Sequence, residues 1–474
     1  MLADFIGSVN TALYSYVLII LLILGGLYFT VRTRAAQFTM IGEQLRVVME
    51  KPKNGKGVSS FHALMVSTAS RVGTGNIIGV STALCLGGFG SVFWMWLIAL
   101  IGCASAFVES TLAQIYKKRG ENGCYGGPAY YIETALRCRP LAVVFSVLLI
   151  LTYGVGFNML ASYNLQSTFA TYSFYDPALS PWLIGLVLAA VVAYCLFGGG
   201  NRLLKITGVL VPVMGLAYIL VALVVVCMNI TALPAVMGRI FRDAFDLRAI
   251  LGGLGGSCLM YGIKRGLFSN EAGVGSAPNA SASAEIDHPA KQGLVQMLSV
   301  FIDTVLICSA TAFMCMCSGV EPTEALSGAP LVQAALYETL GGFGPVFITV
   351  AMILFAFTTL LGNLYYVNQA FSHILGHTPG KRFNAVYYVI ASLLILLGAG
   401  LSAGLLWDIA DLAMGLMTLI NMPVILYLGR YAFRALADYK RRKRGEGVRE
   451  FRAADIGITD SLDYWGGDSS DGEI

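Results

Sequence analysis

The chain has 474 residues, of which 57% are hydrophobic and only 12% charged, and its mean hydropathy is +0.72. Soluble globular proteins carry about 25% charged residues, so this composition excludes an ordinary soluble domain and describes a polytopic membrane protein. The net charge of +4 is too small to suggest a nucleic-acid partner.

The ten Cys include no pair at metal-ligand or redox spacing and read as small packing residues. The four His form no metal motif, and no phosphate-binding loop sequence occurs, so coupling to ATP within this chain is not expected. The N-terminus lacks a basic lead region, so a cleaved signal peptide is not expected either.

The first apolar segment, 14–31, is followed by Arg32 and Arg34, which places its N-terminus outside. Ten further spans follow, at 61–86, 90–116, 140–166, 181–198, 206–229, 250–284, 292–318, 343–373, 384–402 and 407–433. With that orientation, 25 of the 31 Lys and Arg fall in cytoplasmic segments, as the positive-inside rule requires. The expected location is a plasma membrane of the bacterial inner-membrane type, with the C-terminus cytoplasmic.

Residues 1–60 read as one extra helix and a cytoplasmic linker, in which Leu45, Val47 and Val48 beside Arg46 suit a membrane surface. The remaining ten spans divide into 61–230 and 231–435. Five is odd, so the second set must sit inverted relative to the first. The fold class is therefore an all-α membrane protein of eleven helices, one extra helix plus a five-plus-five inverted repeat. The tail 436–474 starts basic, ends acidic and is expected to be disordered.

Each set of five opens with a segment that is poor helix material. The first contains Ser70-Arg-Val-Gly-Thr-Gly-Asn76, with Gly73, Gly75 and Gly79 lowering helicity. Ser70, Thr74 and Asn76 add polar groups at membrane depth. One such segment alone is explained by close helix packing. The second reads Lys264-Arg-Gly-Leu-Phe-Ser-Asn-Glu-Ala-Gly273 and continues through Gly275 and Pro278. Broken helices in corresponding positions of two halves point to a transporter binding site. Lys264, Arg265 and Glu271 are expensive against lipid and are expected to pair with one another as a lock. Ser269 and Asn270 supply local hydrogen bonds, and Phe268 suits either a cover over a ligand or the core.

Two other spans contribute polar faces. Asn158 and Ser162 are four apart, as are Thr359 and Asn363, so each pair shares a helix face. Thr358 and Thr359, set against a broken helix, make an oxygen cage suited to a hard cation such as sodium. A Thr in a membrane helix more often bonds its own backbone. Asp303 is an acid at depth, suited to carrying a proton or pairing with a cation.

Three blocks resemble the alanine/glycine:cation symporter family, also called sodium:alanine symporters. They are Ser70-Arg-Val-Gly-Thr-Gly-Asn-Ile77, Gly87-Gly-Phe-Gly-Ser-Val-Phe-Trp-Met-Trp96 through Gly102, and Lys264 to Gly273. Gly126-Gly-Pro-Ala-Tyr-Tyr-Ile-Glu133 and Phe357-Thr-Thr-Leu-Leu-Gly-Asn363 also fit. The resemblance implies the leucine-transporter type of fold and import of alanine or glycine driven by sodium, without enzymatic activity or a required partner protein.

It also implies residue roles. Thr74 and Gly75 would hold the substrate carboxylate through backbone N–H groups. Carbonyls of Ala69 and Val72, with Thr358 and Thr359, would form the main sodium site. Ser70, Asn76, Asn158, Phe268, Ser269, Asn270 and Asn363 complete the candidate substrate site. Leu160-Ala161-Ser162 replaces a stretch in which the family commonly has Gln, which leaves glutamine or another neutral amino acid open. Proton coupling through Asp303 or Glu271 is the alternative drive, and an ion channel or a membrane-embedded enzyme the alternative class.

Overall fold

A helix pairs its own backbone groups, which hydrocarbon cannot do, so long apolar runs form rods. The computed structural model describes residues 2–52, 57–120, 123–245, 258–446 and 450–466.

In chain order the elements begin with α1 (Phe5–Arg32) and the short α2 (Ile41–Val48). Then come α3 (Ser60–Arg71), α4 (Gly75–Gly87) and α5 (Gly90–Ile115). A hairpin of β1 (Lys118–Gly120) and β2 (Gly123–Tyr125) pairs antiparallel, with Arg119 opposite Cys124. It leads into α6 (Pro128–Leu136), α7 (Arg139–Thr171), α8 (Ser180–Leu196), α9 (Arg202–Met228) and α10 (Leu233–Ala244). The rest comprises α11 (Cys258–Asn270), the one-turn α12 (Pro278–Ser281), α13 (Ala290–Cys317), α14 (Ala329–Leu340), α15 (Phe343–Leu375), α16 (Lys381–Ala399) and α17 (Gly404–Lys443).

Among the described residues, eight of these helices are long and apolar enough to cross a membrane: α1, α5, α7, α9, α13, α15, α16 and α17. The apolar α8 is shorter. The remaining two expected spans are not continuous rods. The first is split into α3 and α4, and the second into α11 and α12.

The helix α5 is central and packs against α1, α11, α13 and α17. Small residues permit this closeness. A Cβ at Gly102 would lie 3.0 Å from that of Ala272.

Several loops hold more structure than the sequence suggested. The 230–249 connection contains α10, with Val236, Ile240 and Ala244 buried. The stretch before α15 contains α14, whose Leu331, Val332 and Leu336 are buried. Apolar spacing in both was legible, but each is too short to span. Val47 and Val48 of α2 pack against protein rather than lying on lipid, whereas Leu45 is exposed.

The expected disorder of 436–474 does not describe most of that tail. α17 continues to Lys443, and Phe451, Ile456, Leu462 and Trp465 are buried. Its apolar residues are spaced too irregularly to signal an element, and they are ordered by tertiary packing. Positions 250–257, the linker 53–56, and 447–449 and 467–474 of the tail lie outside the described residues.

Candidate functional site

The helix α3 starts where Ser59 Oγ accepts the His62 N–H, a standard N-cap. It stops at Arg71, because Val72 leaves helical geometry and Gly73 follows. Asn76 then reaches back, its Oδ1 accepting the Gly73 N–H at 2.8 Å. The chain restarts as a wide π-turn over Gly75–Gly79. Among the described residues, three more π segments lie at Leu13–Val17, Ile150–Gly156 and Phe301–Cys308. Such turns are frequent at functional sites.

The second break runs from Glu271 to Ala277. Glu271, Gly273 and Gly275 all have left-handed backbone, with φ of 54°, 86° and 91°. Gly275 also has no room for a side chain, since a Cβ would meet the Phe145 ring at 2.8 Å. Asn421 of α17 donates to Gly273 O and to Glu109 Oε2, both at 2.9 Å, and so holds the unwound strand against α5.

Side chains from both breaks interlock. Asn76 Nδ2 lies 3.0 Å from Ser269 Oγ and 2.7 Å from Asp303 Oδ1. Asp303 also accepts from the hydroxyls of Ser269 and Thr304, at 2.7 and 2.8 Å. On the other side, Ser70 Oγ lies 2.7 Å from Asn363 Oδ1 and 3.3 Å from Glu271 Oε1. Ser276 donates to Glu271 at 2.6 Å, and Asn363 donates to Asn158 Oδ1 at 3.0 Å. Thr74 Oγ1 accepts from Asn164 Nδ2 at 3.0 Å. Asn270 folds back onto the Ala272 N–H, leaving its buried Nδ2 without a protein partner. Ser162 shares the Asn158 face, and its hydroxyl is likewise buried and unpaired.

The two threonines separate. Thr358 Oγ1 donates to Leu354 O at 2.9 Å, the backbone bond common for Thr in a helix. Thr359 Oγ1 is buried with no hydrogen-bond partner. It abuts the first break so closely that a Cβ on Gly73 would lie 2.0 Å from it. The last carbonyls of a helix have no partner within it. Ala69 and Val72, both buried, belong to that last turn and its exit. A neutral cluster of hydroxyl and carbonyl oxygens suits a hard monovalent cation.

Above the first break, a Cβ on Gly75 would lie 2.8 Å from the Phe268 ring. Phe268 is sandwiched by Phe157 at 4.5 Å and Trp407 at 4.7 Å. The Arg265 guanidinium covers Trp407 at 4.1 Å. Lys264, Arg265 and Glu271 do not pair with one another, as the sequence suggested. Both bases converge on buried Asp411 of α17, at 2.8 and 3.3 Å, and Glu271 takes hydroxyl donors instead. Asp411, Phe157 and Trp407 were missed. Asp411 carried the same signal as Asp303, an acid inside an apolar span.

Beyond the site, α15 runs on to a polar chamber of about 570 Å³. Its walls include Val58, Cys124, Ser283, Tyr365, Asn368 and Asn384. Beside it, the Glu285 N–H donates to Val58 O at 2.9 Å, tying the start of the first broken segment to the end of the second.

The chain is similar to several known proteins. The family model described as the sodium:alanine symporter family matches residues 1–453. The amino-acid carrier protein AlsT of Bacillus subtilis is 43% identical over 436 residues, 91% of each chain. A probable sodium/glutamine symporter, GlnT, from the same organism is 42% identical, covering 94% of this chain and 92% of the relative. The sodium/alanine symporter AgcS of Methanococcus maripaludis is 36% identical, covering 90% and 95%. The solved structure of MhsT in complex with L-phenylalanine superposes with a TM-score of 0.56 at 15% identity, over 82% of this chain and 93% of that one. That likeness establishes the fold, the leucine-transporter type. The chain is a member of the sodium:alanine symporter family.

Proposed function

We propose that this protein imports a small neutral amino acid, alanine or glycine, together with sodium by alternating access. The observation that carries the reading is the unpaired, buried Thr359 hydroxyl set against the Gly73 backbone, at the point where α3 ends. Sodium binds there through Thr359, Thr358 and the carbonyls of Ala69 and Val72. The substrate carboxylate takes the backbone N–H groups of Thr74 and Gly75, at the positive end of α4. Ser70, Asn76, Asn158, Ser269, Asn270 and Asn363 surround the remaining polar atoms, and Phe268 closes over the side chain.

Sodium steadies the unwound backbone and so favours substrate; by linkage, substrate favours sodium equally. At 100 mV, one charge moving inward contributes about 2.3 kcal/mol, a gradient of roughly fifty-fold. The substrate leaves chemically unchanged, and no enzymatic step is proposed. In this reading all eleven segments cross the bilayer, 61–230 and 231–435 are inverted repeats, the N-terminus is outside and the tail is cytoplasmic.

A glutamine substrate is the second reading, favoured by the relative named as a sodium/glutamine symporter. The close approach of Phe268 to Gly75 favours a methyl or hydrogen side chain instead. Uptake of labelled alanine into proteoliposomes, in sodium and in choline and against a panel of competing amino acids, tests both. Alanine uptake that is indifferent to sodium contradicts the coupling, and stronger competition by glutamine than by glycine contradicts the substrate.

A further inference from the structure

We propose that Tyr464 and Trp465 are positioning residues for transport, bracing the inner half of the second broken helix in its closed placement through Gln114 and Lys117. This rests on the sodium-coupled transport reading above and adds a control element that the binding site itself does not contain.

The contacts form a continuous chain. The Trp465 indole N–H donates to Gln114 O at 2.7 Å, satisfying a carbonyl at the end of α5 that the helix leaves unpaired. The Gln114 side-chain amide donates to Ser281 O and, at 3.0 Å, to Ala284 O. Lys117 Nζ donates to the same Ala284 O at 2.9 Å, while the Tyr464 ring lies over that ammonium at 3.7 Å. The next residue, Glu285, is the one bonded to Val58 O before α3. The tail therefore reaches the inner ends of both broken helices through two intermediate side chains.

The brace is itself anchored to other elements. The Ala453 N–H donates to Trp465 O at 3.2 Å, closing 453–465 into a loop. Phe451 packs against the Trp465 ring at 5.2 Å. Arg434 and Arg442 of α17 hold Ile456 O and Asp455, at 3.0 and 2.8 Å. Asp463 accepts the Arg119 N–H of the hairpin at 2.8 Å. In the alternating-access reading, release into the cytoplasm parts the Val58–Glu285 contact beside the chamber. A segment fixed to α17 and gripping α12 through α5 favours the state in which it has not parted.

Loss of the brace shifts the population toward the inward-open state. A ligand's apparent affinity scales with the fraction of protein competent to bind it. In vesicles of the full-length protein, Trp465→Ala therefore raises the external KM for alanine in right-side-out preparations. It lowers the internal KM in inside-out ones, each by about three- to tenfold. Tyr464→Ala moves both in the same opposed sense and serves if Trp465→Ala fails to fold. Tyr464→Phe, which keeps the ring over Lys117, leaves both unchanged. Unchanged KM values, values that move together, or a loss confined to maximal rate would overturn the brace. Wild-type vesicles without sodium-driven alanine movement would overturn the transport reading, and this proposal with it.

Discussion

Ser70 Oγ and Asn363 Oδ1 lie 2.7 Å apart, joining the last turn of α3 to the middle of α15. Asn363 passes the link on to Asn158 at 3.0 Å. Three segments of the candidate site are thus fixed by one amide. Asn363→Ala leaves buried partners unsatisfied, at about 1–3 kcal/mol. The expected result is an alanine KM raised roughly ten- to hundredfold with protein yield maintained. An unchanged KM would remove Asn363 from the substrate site.

The two threonines predict an asymmetry. Thr359 Oγ1 is free to bind a cation, whereas Thr358 Oγ1 is engaged by Leu354 O. Thr359→Ala should raise the sodium concentration for half-maximal uptake about tenfold or more, with a smaller effect on maximal rate, and Thr359→Ser should restore it. Thr358→Ala should have the weaker effect. Equal shifts for both would mean that Thr358 Oγ1 binds the ion as strongly through a lone pair while its hydrogen stays on Leu354 O.

Backbone access at the first break is tight. A Cβ at Gly75 meets the Phe268 ring at 2.8 Å. Gly75→Val should abolish alanine binding, because the side chain fills the space where the carboxylate meets backbone. Phe268→Ala should admit larger neutral amino acids, read as competition by valine or leucine. Retention of the wild-type substrate range in Phe268→Ala would place the size limit elsewhere.

Asp411 holds both Lys264 and Arg265 in a buried site. Removing one partner of a buried ion pair typically costs about 3–5 kcal/mol, because the opposite charge is left uncompensated. Asp411→Asn should therefore lower the melting temperature clearly in detergent. Arg265→Met together with Asp411→Asn should recover part of the loss. Full stability of Asp411→Asn alone would contradict the lock.

The junction of tail and bundle carries a pH dependence. His288 is buried against Tyr439 and Phe451 and lies 3.2 Å from Asp438. Burial depresses its pKa below the ordinary 6.5, and Asp438 offsets only part of this. The unfolded chain then binds more protons than the folded one below about pH 6.5, so stability falls as pH drops through that window toward the folded pKa. The slope is at most about 1.4 kcal/mol per pH unit. Melting temperature should fall from about pH 7 to about pH 5, and His288→Asn should flatten that decline. An identical decline in the variant would assign it to other groups.

The sequence was most informative where chemistry conflicts with lipid. Glycines at 73, 75, 273 and 275 inside apolar runs marked both breaks, because only a protein-lined cavity tolerates unwound backbone at that depth. Polar residues at 70, 76 and 363 were legible for the same reason. Partners across helices were not, because the pairing of Lys264 with Asp411 depends on how α11 and α17 pack, not on spacing along either. Phe157 and Trp407 looked like ordinary apolar residues, and their stacking on Phe268 exists only in three dimensions. The tail misled for a related reason: its charged composition resembles disorder, yet a few buried residues such as Phe451 and Trp465 suffice to dock it.

Binding measured on the purified protein tests the coupling of the two broken helices most directly. Alanine affinity titrated against sodium should rise with the ion, sodium affinity should rise by the same factor with alanine, and Thr359→Ala should move both gains to about tenfold higher sodium. Alanine binding of equal strength in sodium and in choline would contradict a shared site.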